Sequence, residues 1–244
     1  MHGIVLLSGG LDSTTVAAHA LEAGYELRGL AINYGQLHAR ELSSAQAVAD
    51  RLGFPLLVAD APFYARMASH SALTDAAGFA LPEHRAPEAM AADIPITYVP
   101  LRNTFFVTIA AAALESWMLA LIENDRSDPA TLDPAIFVGA NAIDYSGYPD
   151  CRPEFYDAIA ETVRLGSKLG TQYGVRMRIE APIIAMGKAD IVRHATRLGA
   201  PLELTWSCYA GQEWPCGVCD SCVLRAAGFA EAGLPDPALA RIRR

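Results

Sequence analysis

The chain has 244 residues, 52% of them hydrophobic, enough to bury one sizeable core with an appendage. Its 19 Lys and Arg face 27 Asp and Glu, and the net charge of −8 disfavours a broad nucleic-acid-binding face and suits a small substrate. The first residues form a strand pattern rather than a secretory leader, and Glu115 and Glu123 interrupt the most apolar stretch, around Ala110 to Leu114, so a cytoplasmic protein without a membrane span is expected.

Ile4 to Leu7 reads as a buried strand and Ser13 to Ala23 as a helix, and between them lies Ser-Gly-Gly-Leu-Asp. Gly9 and Gly10 allow positive φ and close approach to an anion. Ser8, Ser13 and Thr14 add hydroxyls at a helix N-terminus whose free N–H groups favour negative charge. No Gly-Lys-Ser/Thr follows, so this is not a Walker A loop, and a cradle without that lysine suits pyrophosphate as a leaving group. Asp12 could cap the helix or help hold Mg²⁺ on the phosphates. The stretch expected to bind ATP comprises Leu7, Ser8, Gly9, Gly10, Leu11, Asp12, Ser13, Thr14, Thr15, Val16 and Ala17.

Leu27 to Ile32 then reads as a strand, Leu37 to Leu52 as a helix and Pro55 to Val58 as a strand. Residues 60–100 carry prolines at 62, 82, 87, 95 and 100 and have no sustained period, as an irregular insertion would. A helix over Asn103 to Ile122 and a polar loop over Glu123 to Pro134 lead to a strand at Ile136 to Val138. A helix near Pro153 to Lys168, a strand within Met177 to Ile184 and a helix over Lys188 to Leu198 follow. Strands alternating with helices predict an α/β fold, a doubly wound, mostly parallel five-stranded sheet. Ligands bind beyond the carboxyl ends of such strands, where Ser8, Asn33 to Gln36 and Gly139 to Asp144 should converge. The expected organisation is a nucleotide-binding domain over 1–204 and a metal-binding module with a helical tail over 205–244.

That module holds Cys208, Cys216, Cys219 and Cys222, separated by seven, two and two residues, a spacing that wraps a tetrahedral ion. Four thiolates complete a structural zinc and leave no open position. An iron–sulfur cluster uses the same ligands, but nothing in the phosphate loop calls for electron transfer. Cys151 stands apart, as a packed or substrate-adjacent thiol.

Ser-Gly-Gly-Leu-Asp-Ser-Thr-Thr at 8–15, Tyr34-Gly35-Gln36 with His38 and Glu41, Ser-Ala-Leu-Thr at 71–74, Val99-Pro100 with Arg102-Asn103, Ser-Gly-Tyr-Pro-Asp-Cys-Arg at 146–152 and the four-cysteine end agree with one family. Together they resemble the 7-cyano-7-deazaguanine synthases, within the PP-loop ATP pyrophosphatase group of adenine nucleotide alpha-hydrolase-like folds. The resemblance implies an ATP-dependent C–N ligase of queuosine biosynthesis, a homodimer with one zinc per subunit. It would convert 7-carboxy-7-deazaguanine and ammonia to the nitrile preQ0 through adenylated intermediates and an amide, releasing AMP and diphosphate. Arg102 and Lys188, each beside a tight turn or strand end, are the cations expected to act with Asp12 on the phosphates. Asp144 or Asp150 could accept the N1–H and exocyclic amine of the purine edge, Tyr145 or Tyr148 could stack on it, and Arg152 is expected at the same substrate site. His38 could relay a proton or serve only to start its helix. Leu101 departs from the family's usual Gly before Arg-Asn, and the Glu123 to Pro134 loop is longer than usual. The rival reading, a PP-loop enzyme acting directly on tRNA, would need a basic docking face, and a second, a nucleotide sensor without chemistry, would release no AMP.

Overall fold

β1 (His2–Leu6) lies at the centre of a five-stranded sheet with the order β3-β2-β1-β4-β5, built from β2 (Glu26–Asn33), β3 (Leu56–Asp60), β4 (Pro134–Phe137) and β5 (Arg178–Glu180). The computed structural model describes residues 1–35, 39–75, 77–84, 94–142, 147–210 and 212–242. All four strand pairings are parallel, so the expected five-stranded sheet has no antiparallel member. The chain winds outward from β1 through β2 to β3, then returns to pair β4 with the other side of β1. The strand order therefore reverses between β1 and β4, and the crevice outside their carboxyl ends is where such sheets receive ligands.

Alternation along the strands sorts the side chains into two cores. Val5, Leu27, Ala31, Ala135 and Phe137 face α1 (Leu11–Glu22), α2 (Ala39–Leu52), α7 (Lys188–Arg197) and Phe229 of α8 (Asp220–Ala232). Ile4, Leu30, Ile32, Ile136 and Val138 face α4 (Arg102–Glu123), α5 (Pro153–Gly166) and α6 (Lys168–Gln172). α4 is long and apolar enough to cross a membrane by length and composition, which the sequence pattern had not suggested. Here it buries Val107, Ala110, Leu114 and Met118 against the sheet, and Glu115 accepts the Leu169 N–H at 2.9 Å.

β5 covers only the start of the stretch expected as the last strand. Ala181 onward turns away, because Pro182 has no N–H to continue a ladder. Within the 60–100 insertion the described residues form one short helix, α3 (Phe63–Met67), and turns. The insertion reaches the cysteine segment through a bridge between Glu83 and Cys219 and a hydrogen bond from the His84 N–H to the Val218 carbonyl at 3.0 Å. The short tail helix α9 (Pro237–Ile242) ends the described chain.

Candidate active site

The bend after β1 is held open by glycine and supported from below by α2. Gly9 has φ +79°, and a Cβ there would lie 2.5 Å from the Ala45 nitrogen and 2.7 Å from the Glu41 carbonyl oxygen. Gly10 is the N-cap of α1 and makes no side-chain cap bond, which leaves first-turn N–H groups available to an anion. Ser8 Oγ lies 3.1 Å from Ser13 Oγ and accepts the Gly10 N–H at 3.3 Å. Leu7, Ser8, Gly10, Leu11, Asp12 and Ser13 line a single cavity. The rest of the expected stretch lies behind it. Thr15 donates its hydroxyl to the Leu11 carbonyl at 2.8 Å, Val16 and Ala17 are in the core, and Thr14 Oγ1 is buried without a hydrogen-bond partner among the described residues.

Asp12 joins three chain segments. Its Oδ2 accepts from Lys188 Nζ at 2.5 Å and from Asn141 Nδ2 at 3.0 Å. Lys188 is delivered by the start of α7 and Asn141 by the segment after β4, so both sides of the strand reversal meet on one carboxylate. Asp12 Oδ1 is buried and has no hydrogen-bond partner among the described residues, and a hard carboxylate oxygen beside the glycine bend is a donor suited to a divalent cation.

The opposite wall is formed by Tyr34, Glu41, Arg102, Asn103, Phe106, Tyr148 and Cys151. Burial opposes the charge of Arg102, but Tyr34, Tyr148, Asp150 and Cys151 surround it and more than offset that cost, so its pKa moves upward and the guanidinium is a fixed cation. Burial pushes the Glu41 carboxyl up to about 7, and the Arg102 charge restrains the shift. Glu41 entered the sequence reading only as part of a resemblance. Its place on the cavity wall follows from the packing of α2 under Gly9.

Of the residues expected to hold the second substrate, Tyr148 lines the cavity, with its hydroxyl 2.9 Å from Thr97 Oγ1. Asp150 is turned toward the start of α4, where Oδ2 accepts the Asn103 N–H at 3.1 Å. Burial raises its pKa, opposed by that bond and by Arg102. Cys151 Sγ accepts from Asn103 Nδ2 at 3.1 Å beside the cavity. Arg152 is the N-cap of α5 and is not among the lining residues. Gln36, His38, Asp144 and Tyr145 lie outside the described residues.

Cys208, Cys216, Cys219 and Cys222 come together with their sulfur atoms all within 4.8 Å of one another. A tetrahedron of ~2.3 Å Zn–S bonds has edges of roughly 3.8 Å, so the cluster needs only a small contraction to close on an ion. Backbone N–H groups of Ala210 and Cys216 point at Cys208 Sγ, each at 3.3 Å, and that of Cys219 points at Cys216 Sγ at 3.4 Å. A hydrogen bond from Cys222 lowers the Cys219 thiol, while the same contact raises Cys222 and burial raises Cys208, so these three sulfurs titrate as one group. These residues can hold a metal ion. The segment leading into them, with Trp206, Ser207 and Tyr209, lines the same cavity as the phosphate bend.

The family model for the queuosine biosynthesis protein QueC matches residues 2–233. A protein of Thermoplasma acidophilum described as 7-cyano-7-deazaguanine synthase is 46% identical over 96% of this chain and 90% of its own length. One from a Nostoc species with the same description is 44% identical over 97% of this chain and 96% of its own.

Proposed function

The chain belongs to the QueC family of queuosine biosynthesis proteins, and from that premise we propose that it makes 7-cyano-7-deazaguanine from 7-carboxy-7-deazaguanine and ammonia, consuming ATP. The observation that carries the reading is the convergence of the glycine bend, Lys188 and Arg102 on one cavity.

A carboxylate cannot expel oxide, so its oxygen must first become a leaving group. The carboxylate attacks the α-phosphorus of ATP and the bond to the β-phosphate oxygen breaks, giving an acyl-adenylate and diphosphate. The first-turn N–H groups of α1, the hydroxyls of Ser8 and Ser13 and the Lys188 ammonium are the groups that stabilise the charge gathering on the departing diphosphate. Ammonia displaces AMP to give the amide. The amide oxygen attacks the α-phosphorus of a second ATP with release of a second diphosphate, and loss of AMP with the two N–H protons leaves the nitrile. Asp12 orients Lys188, and its free Oδ1 would hold the Mg²⁺ that accompanies ATP. Arg102 supplies positive charge at the opposite wall. Tyr148 offers a ring face for the purine, and Asp144 or Asp150 its acceptor pair.

The four thiolates would hold one zinc per subunit, closed to water and therefore structural. We further propose a homodimer. Its support is the outer edge strand β3, whose Leu57 and Val58 are exposed together with Phe63 and Met67 of the following helix, a surface that a second copy would cover.

The test is product analysis with ATP labelled at the α-phosphate, with the deazaguanine acid and ammonium present or omitted. Acid-dependent AMP and diphosphate, with a nitrile product by mass, are expected. Release of ADP and phosphate, or AMP formation indifferent to the acid, refutes the proposal.

A further inference from the structure

We propose that Trp206 is a positioning residue for the phosphate bend, coupling the cysteine cluster to nucleotide binding; this rests on the cavity being the ATP site. The Trp206 backbone N–H donates to the Gly9 carbonyl at 2.9 Å. Because a peptide group is planar, fixing that carbonyl also fixes the Gly10 N–H on the other side of the same peptide, which donates to Ser8 Oγ at 3.3 Å and so helps set the hydroxyl that lines the cavity. Gly9 sits at positive φ, so its flanking peptides have alternative orientations, which the Trp206 contact narrows together with the weak Gly10 N–H bond to Ser8.

The Trp206 side chain sets where its own backbone lies. The indole N–H donates to the Cys208 carbonyl at 3.0 Å, and the ring packs in one apolar cluster with Cys208, Cys219 and Cys222. Its face lies 4.5 Å from the Arg40 guanidinium, which also donates to the Gln212 and Glu213 carbonyls within the cysteine segment. One residue therefore touches the bend, the metal-binding thiols and the start of α2, the helix on which Gly9 rests. Trp206 is 8% exposed and is one of the residues lining the cavity.

Coupling of this kind is reciprocal: if the cluster orders the bend, a nucleotide on the bend must steady the cluster. The experiment uses the full-length, metal-loaded chain with α,β-methylene-ATP, which binds without cleavage at the reacting bond. In the native chain the analogue is expected to slow transfer of the metal to a chromophoric chelator several-fold. Trp206→Ala is expected to weaken binding of the analogue at least about tenfold by calorimetry, and to abolish its effect on metal transfer. Trp206→Phe keeps an aromatic ring for Arg40 but loses the indole N–H and part of the packing against the cysteines, so an intermediate loss is expected, and this variant decides the matter if the alanine variant does not fold. In assays of the folded variants, KM for ATP should rise more than kcat falls. A purely structural role would lower the melting temperature while leaving the affinity of the folded fraction unchanged, and that result overturns the proposal. Failure of the native chain to bind the analogue would instead overturn the assignment of the cavity to ATP.

Discussion

Lys188 Nζ and Asp12 Oδ2 stand 2.5 Å apart, although 176 positions separate them in the chain. Both side chains are largely buried, so the carboxylate sets where the ammonium points, and the ammonium balances a charge that would otherwise be stranded beside the phosphate bend. Lys188→Met is expected to cut kcat/KM by about 100-fold or more, the loss typical of one fixed electrostatic group in an enclosed site. Asp12→Asn should lose a comparable amount, and the double variant should lose much less than the product of the two. Steady-state release of AMP measures this cycle, and multiplicative losses would show that the two residues act separately.

Glu41 makes stability depend on pH. Its carboxyl titrates at about 7 in the folded chain against an ordinary 4.5, so the folded state holds the proton more tightly than the unfolded one. Stability from this group is undiminished below about pH 4.5, falls as pH rises toward 7, and is then constant, with a total loss on the order of 3 kcal/mol. Glu41→Gln removes the titration. Urea unfolding at several pH values between 5 and 8 should show the variant gaining on the native chain up to about pH 7, then running parallel. A constant offset across the whole range would contradict the shift.

Leu101 occupies the left-handed region, at φ 54° and ψ 24°, just before α4, and is 62% exposed. A side chain there costs roughly 1–2 kcal/mol, whereas glycine costs about 0.5–1 kcal/mol through unfolded-state entropy. Leu101→Gly is therefore expected to stabilise the chain by up to about 1 kcal/mol. Little buried apolar surface is lost, and the change is readable as a rise in denaturation midpoint at constant slope.

Gly228 lies where α8 crosses the beginning of α7. A Cβ there would come within 2.8 Å of Lys188 Cβ and 3.1 Å of its carbonyl carbon. Alanine in mid-helix ordinarily gains up to about 1 kcal/mol over glycine, but this contact is with main chain and cannot swing aside, so overpacking of about 1–3 kcal/mol should win. Gly228→Ala is expected to destabilise the chain and to lower kcat by displacing Lys188. Chemical denaturation together with AMP release would expose an error if the variant were both more stable and fully active.

The architecture was legible where side-chain period and glycine spoke together. β1, the bend and α1 follow from an apolar run, two glycines and a helical pattern, and the cysteine cluster follows from its spacing alone. What stayed hidden was direction. Asp150 belongs to a motif that looked like a ligand-reading loop, yet one of its carboxylate oxygens holds the first turn of α4, a role set by the angle at which two distant segments meet. Trp206 lies in a stretch without periodicity, and its importance comes from a main-chain contact with Gly9 that no local pattern encodes. The left-handed Leu101 was visible only as an unusual residue before Arg102, because a leucine gives no local sign of positive φ.

The central place of β1 has a bearing on how the molecule is made. This strand is synthesised before both of its sheet neighbours, but β4 begins only at Pro134, and the lysine that meets Asp12 emerges later still. Until then the amino-terminal hairpin of elements has one flank of β1 bare, and such long-range parallel pairing forms slowly. The triphosphate affinity proposed for the cavity can thus be complete only in a chain translated past Lys188, so nucleotide capture during synthesis would timestamp the completion of the fold.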